Sequence, residues 1–404
     1  MMWAVIARFI LRNRILLLVL LGLVTAFMGY KARDVKLMYG LPDLLPKTDS
    51  VRLAFNEFQK LYGGEGSIYI IGIEEDPLED LSLFNGWYRL SEDLQSIKGV
   101  DTIISVSKIF TLRKDTSARR FRLTPVVTSE LHNEAELDSV RSIIHSLPFY
   151  KGLLYNDSTH ATLMAVTMDS SLFNSGQRLP LISKIMNKVA RFSEENKVKV
   201  HYSGLPFVRT IITRMVKSEM VIFITIAALL TMLLLFIFFR SFKPVTISML
   251  VVLIGVIWTL GCLSIFGYKI TILTGMLPSL IIVIGVANCI FLINKYHYEF
   301  KVHGNQAKAL VRVIQKVGNA TFMTNATTAI GFVTFIFTGS TSLKEFGVVS
   351  AVNIMGLFLI SLLVIPIVFS YLPPPGYKHT KHLERKIVNA FVNKLVYWVS
   401  YHRR

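Results

Sequence analysis

The sequence predicts an α+β membrane protein: a six-helix transmembrane bundle with a ferredoxin-like βαβ domain between the first and second crossings. Three observations carry that expectation. One apolar stretch near the start precedes a polar stretch from 34 to 215, and five more apolar stretches then follow almost end to end. The chain is 52% hydrophobic over 404 residues, too apolar for a soluble globule of that length. Within the polar stretch, strand-like and helix-like patterns alternate as two successive βαβ units.

The crossings come first. A hydrocarbon core of about 30 Å needs about 20 apolar helical residues. Six windows approach that length: Ile15–Tyr30, Glu219–Phe239, Pro244–Phe266, Thr271–Asn294, Thr321–Ser340 and Phe346–Leu372. The first is short enough for a signal peptide. No small-x-small cleavage site precedes Lys31, so an uncleaved anchor is the reading. The domains expected are 1–33 (N-terminus and first helix), 34–215 (exported domain), 216–372 (helices two to six) and 373–404 (a linker towards a second repeat).

Charge orients the chain. The net charge is +18. Of the 44 basic and 26 acidic residues, 22 of each lie in 34–215, leaving 22 basic against 4 acidic residues beside the crossings. Arg8, Arg12 and Arg14 precede the first window, and Arg240 and Lys243 lie between the second and third. Lys295, Lys301, Lys308, Arg312 and Lys316 separate the fourth from the fifth, and Lys378, Lys381, Arg385 and Lys386 follow the sixth. Alternate loops are basic, as the positive-inside rule requires. The expected topology is a multi-pass protein with a cytoplasmic N-terminus and the large domain on the far side. The same distribution argues against nucleic acid as the reason for the high pI. Both cysteines, Cys262 and Cys289, fall in expected crossings, so the polar domain must hold together without disulfides.

Within that domain, Ser67–Glu74 is rich in β-branched and aromatic residues and reads as a strand. Leu81–Lys98 has helical spacing at Leu83, Trp87, Leu90, Leu94 and Ile97, and Val100–Phe110 returns as a strand. A helix is expected around Glu130–Ser146. The second unit runs Ala161–Met168, Ser175–Asn196 and Lys197–Ser203, and helical Leu205–Ser218 leads into the second crossing. Lys295–Val317 reads as a basic interfacial connector, and Pro373–Pro375 as a stop to the last helix. In the terminal FVNKLVYWVSYHRR, Trp398, His402 and Arg403 match Phe9, Asn13 and Arg14, as though a second copy of the unit were about to begin.

The block Asn319–Phe369 resembles the fifth and sixth crossings of resistance–nodulation–division (RND) transporters. It has small polar residues, then Ala-Ile-Gly-Phe, a short loop and Lys-Glu-Phe-Gly. The fourth window, Ile284–Leu292, is similar to a Gly-x-x-Asp segment of the branch that holds the mycobacterial large membrane proteins, the hopanoid exporters and the sterol-sensing-domain proteins. The resemblance covers nearly the whole chain and implies the N-terminal half of such a permease, in a bacterial inner membrane. The inserted domain would act as a porter domain that captures hydrophobic or amphipathic cargo, lipids included, and export would draw on an ion gradient. The partners implied are membrane lipids and a second half or another copy of this chain. Two alternatives are a non-transporting lipid-sensing or assembly protein, and a protein-translocation accessory subunit.

Family members carry an acidic residue, and with it the proton, where this chain has Asn288. A carboxamide does not exchange protons near neutral pH, so a helix-holding hydrogen bond is the favoured reading of Asn288. Thr324, Asn325 and Thr328 share a helical face. Counting from Lys295 puts Asn288 about 10 Å above the cytoplasmic surface, and counting from Thr321 puts Thr327 and Thr328 at about the same height. That gives a candidate polar cluster of Asn288, Asn325 and Thr328. Pro278, Gly285 and Gly331 are candidate sites of bending or close helix contact. The glycines at 63, 64 and 66 read as a turn rather than a phosphate loop, and His379 and His382 as a solvated tail rather than a metal site. No nucleophile–base arrangement, nucleotide motif or cofactor signature is present, so no enzymatic activity is expected.

Overall fold

The computed structural model describes residues 2–38, 46, 48–62, 68–115, 120–169, 176–374 and 396–398. They divide into two compact units. One draws on residues 1–38, 42–49 and 216–404, the other mainly on 50–215. The glycines at 63, 64 and 66, His379, His382 and the matched positions His402 and Arg403 lie outside the described residues, as do the last four basic residues named above.

The helical unit starts with α1 (Met2–Arg12) and α2 (Arg14–Ala32), separated at Asn13. The apolar window at 15–30 is thus preceded by a distinct amphipathic helix that buries Ala7 and Ile10. Four of the remaining helices are α7 (Leu205–Phe239), α8 (Phe242–Ile265), α9 (Leu277–His303) and α10 (Gln306–Val333). A fifth is α11 (Thr341–Tyr371). Among the described residues, six helices are long and apolar enough to cross a membrane: α2 and α7 to α11. The expected lead-in Leu205–Ser218 and the second window form the single helix α7.

The expected basic connector Lys295–Val317 is not an element of its own. Its first half extends α9 and its second half opens α10. Gly304 turns the chain with φ 64°, and the Asn305 side chain accepts from Lys308 N at 3.0 Å. A left-handed glycine stop followed directly by an Asn cap confines the break to two residues.

Depth within the unit differs between helices. In their most apolar windows, α11 is 67% buried, α9 56% and α8 50%, whereas α10 is 17%, α7 11% and α2 6%. Three inner helices therefore carry the core. Glycine lets them converge: a Cβ on Gly255 would lie 2.8 Å from Leu357, and one on Gly285 would lie 3.2 Å from the same side chain. A Cβ on Gly261 would stand 2.8 Å from the Met28 carbonyl oxygen, so α2 and α8 approach backbone to backbone there. At one end, Gln306 Nε2 donates to the carbonyls of Phe369 (2.6 Å) and Leu372 (2.9 Å), satisfying the terminus of α11 before Pro373. Residues 36–38, expected in the polar domain, join this unit instead. Met38 N donates to Ile270 O and Ile270 N to Lys36 O, each at 2.9 Å.

The second unit is built on a sheet. Its strands and helices are β1 (Ile68–Ile73), α4 (Leu81–Gln95), β2 (Val100–Ser105), β6 (Ala161–Met168), α6 (Arg178–Asn196) and β7 (Val200–Ser203). Helix α3 (Ser50–Tyr62) precedes them. Between β2 and β6 come β3 (Phe110–Asp115), β4 (Arg120–Pro125), α5 (Glu134–His145) and the short β5 (Tyr155–Asn156). The main path is β2-β6-β1-β7, antiparallel throughout, with Ile71 opposite Met164 and Tyr202. Each crossover helix joins strands that are not neighbours, the split βαβ arrangement expected for two such units in series. Strand β6 alternates along its length, burying Thr162, Met164, Val166 and Met168. Trp87 and Phe84 of α4 and Ile182, Ile185 and Val189 of α6 complete that core.

Val100–Phe110 is not one strand. The side chain of Ser105 caps a turn at Val106–Lys108, and the chain re-emerges as β3, which pairs with β4 in a separate two-stranded sheet. Phe110 opposes Pro125 and Leu112 opposes Leu123. A polar cap after a β-branched run ends the strand where periodicity alone continues it.

Candidate functional site

Asn288 projects from α9 and Asn325 from α10, and both are buried, at 6% and 2% exposure. Their carboxamides face each other reciprocally. Asn288 Nδ2 donates to Asn325 Oδ1 at 3.1 Å, and Asn325 Nδ2 donates to Asn288 Oδ1 at 3.0 Å. Asn325 Nδ2 also reaches Thr321 O at 2.8 Å. A residue of this polarity is tolerated in an apolar bundle only when its groups are satisfied, and here each amide satisfies the other. Asn288 stands 15 residues before His303, the end of α9. At 1.5 Å per residue that is about 22 Å from the helix end, while Lys295, seven residues on, puts Asn288 about 10 Å from the edge of the expected crossing.

The other candidates separate from the pair. Thr324 and Thr328 turn their hydroxyls onto their own helix, donating to Ala320 O (3.0 Å) and Thr324 O (2.9 Å). Thr324 is exposed and Thr328 half-buried, so the expected three-residue cluster contracts to two. The face of α10 that packs inward runs through Thr321, Asn325 and Ala329, at intervals of four. Thr328 lies about 60° away on the wheel, and a threonine hydroxyl is readily satisfied by the carbonyl one turn back.

Gly285 is a contact site, wedged against Val252 (3.1 Å) and Leu357 for an added Cβ. Gly331 is not, since a Cβ there would meet nothing within 4 Å. Nor does Pro278 bend a helix: it occupies the first turn of α9, where a missing N–H costs nothing. The internal proline is Pro366, inside α11.

A feature beyond the expected crossing at Asn294 is the carboxylate of Glu299, 1% exposed near the end of α9. Lys316 Nζ lies 3.0 Å from it, Lys295 Nζ 3.4 Å, His303 Nε2 3.4 Å and Arg312 Nη1 3.8 Å. Lys295 is on α9 and Lys316 and Arg312 are on α10, so the carboxylate ties the hairpin together. The i, i+4, i+8 spacing of Lys295, Glu299 and His303 was the signal in the sequence, hidden because the apolar window stops short of it. Among the described residues there is no group of three or more His, Cys, Asp or Glu side chains fit to hold a metal.

Chemically, the carboxamide pair can hold two helices in register and offers no proton exchange near neutral pH. The Glu299 group is an ion-pair network with surplus positive charge. Neither is a nucleophile–base arrangement.

Comparison with known proteins then places the chain. A chain of Methanocaldococcus jannaschii named only as a membrane protein is 23% identical over 374 residues, which covers 89% of this chain and 91% of that relative. The model of the MMPL family matches residues 79–402, most of the second unit and all five later crossings. Over so much of its length, the chain belongs to the MMPL family.

Proposed function

We propose that the chain is one half of an RND-type transporter that exports hydrophobic or amphipathic compounds, with lipids as the leading cargo class, and that it works when paired with a second half or a second copy. The observation that carries the pairing is the outward face of α10. Asn319, Ala320, Thr324 and Thr327 are exposed there, and Gly331 opens onto empty space. The threonine hydroxyls there already bond their own helix, so what the face offers a partner helix is the close approach that small residues allow. Family membership supports transport. The relative that this chain spans to 91% supports a unit of this size.

In this reading the N-terminus is cytoplasmic, the βαβ unit is exported and receives cargo as a porter domain, and Asn288 stands where the family's proton carrier would. The Asn288–Asn325 pair then acts as a helix lock. The titrating carboxylate of a working pump belongs to the partner half, in keeping with sites at a repeat interface. The uncharged pair also favours a second reading, a non-transporting lipid sensor.

Efflux of Nile red from cells producing the chain with its partner separates the two. Transport predicts efflux that stops when a protonophore dissipates the gradient. Dye retention equal to that of cells lacking the chain contradicts transport and leaves the sensor.

A further inference from the structure

At the α9–α10 turn, positive charge exceeds what the fold itself uses. Three permanent cations, Lys295, Arg312 and Lys316, surround the one carboxylate of Glu299 within 4 Å. Arg312 Nη1 lies 2.6 Å from His303 Nε2; arginine can only donate, so the imidazole accepts and is neutral in this arrangement. The group therefore keeps a surplus of two charges. The carboxylate is 1% exposed, while the side chains of Arg312 and Lys316 are 38% and 53% exposed. Negative charge is sealed inside and positive charge faces out.

The height of the cluster selects its ligand. Helix α9 has 27 residues and α10 has 28, each about 40 Å at 1.5 Å per residue, against a hydrocarbon core of about 30 Å. Twenty residues from Leu277 end at Tyr296, and twenty counted back from Val333 end at Ile314. Lys295, Glu299, Arg312 and Lys316 thus fall at or just beyond the edge of the hydrocarbon, where headgroup phosphates lie. Tyr298, whose ring carries Lys295 Nζ at 4.5 Å from its centroid, is the kind of residue that marks that level.

We propose that this end of the bundle is a binding site for the headgroup phosphate of an anionic phospholipid, gripped by Arg312 and Lys316 with Lys295 at its edge. Glu299 is a positioning residue: it holds three cations together that would otherwise repel, and it leaves their outer donors for the phosphate. Basic pockets between membrane helices take anionic headgroups by this chemistry. The site is separate from the carboxamide pair and does not depend on transport.

Native mass spectrometry of the full chain in detergent, titrated with phosphatidylglycerol or phosphatidylcholine, tests it. The wild type should retain phosphatidylglycerol about tenfold more tightly than phosphatidylcholine. Arg312→Gln with Lys316→Gln should weaken phosphatidylglycerol by about 25-fold, roughly fivefold per cation, and leave phosphatidylcholine unchanged. Arg312→Lys with Lys316→Arg should keep the preference. Should the neutral pair fail to fold, the wild type carries the test: phosphatidylglycerol retention must fall as salt rises. Equal retention of the two lipids, or no response to neutralisation or salt, overturns the proposal. So does complete displacement of phosphatidylglycerol by excess inorganic phosphate that itself stays bound, because the site would then serve a soluble anion.

Discussion

At the scale of single residues, α9 and α10 are joined by a carboxamide pair whose members satisfy one another. Removing one leaves the other buried with unmet donors and acceptors. Asn288→Ala and Asn325→Ala should each destabilise the bundle by about 1–3 kcal/mol. The double variant should cost less than the sum, with a coupling of about 1 kcal/mol, as read from thermal or denaturant unfolding in detergent. Strict additivity would show that the amides do not cooperate. In the other unit, Lys151 Nζ lies 2.6 Å from Asp157 Oδ2, and the hydrogen bond and charge of Lys151 hold that carboxyl below the ordinary carboxylate range. Any stabilisation it provides is therefore present above about pH 4 and lost as pH falls through the lowered value. Lys151→Ala should return the carboxyl to the ordinary range, seen by NMR of the aspartate side chain. Asn288 was legible from the sequence as a polar residue in an apolar window, and Asn325 as its facing partner. Thr328 departs from that expectation because shared height on two helices does not fix the angle at which a side chain points. Glu299 is not legible in the sequence because hydropathy ends a crossing where charge begins, at Asn294, while the hydrogen-bonded helix runs nine residues further, to His303.

At the scale of elements, glycine decides which helices and strands can meet. Gly204 has φ 97°, and a Cβ there would lie 2.3 Å from Ile68 O. Gly204→Ala combines left-handed strain with a backbone clash, so it should destabilise the sheet unit by more than about 1 kcal/mol. Gly331→Ala should be near neutral by the same measurement, since its Cβ meets open space. A large loss at Gly331 in the isolated chain would contradict the packing described. The crossings were readable from composition because a bilayer demands long apolar runs, and the four strands of the main sheet from their β-branched content. The hairpin of β3 and β4 was not readable. Its exposed apolar residues, Leu112, Phe121 and Leu123, are interleaved with charged ones and follow a capped turn, so no continuous pattern marks it. Helix α1 escaped for a related reason: its arginines mask an amphipathic face that buries only Ala7 and Ile10.

At the scale of the whole molecule, a bundle with three inner helices and three lightly buried ones presents unequal outer faces, and that of α10 sets small and hydroxyl residues beside the apolar Met323 and Ile330. If it meets a second half, a cysteine in place of Thr327 should cross-link between chains in native membranes, and Ala320→Leu with Thr324→Leu added to that cysteine variant should abolish the cross-link. Persistent monomers at every protein-to-lipid ratio would count against pairing. Topology bears on every part of this reading, since exported cargo capture and a cytoplasmic anionic-lipid site require opposite sides. The most direct measurement is thiol labelling in whole cells with a membrane-impermeant maleimide, in a background lacking Cys262 and Cys289. Ser139→Cys, exposed on α5, should label in intact cells, and Lys308→Cys, beside the α9–α10 turn, only after the membrane is opened. Labelling of Lys308→Cys from outside with Ser139→Cys protected would contradict the account.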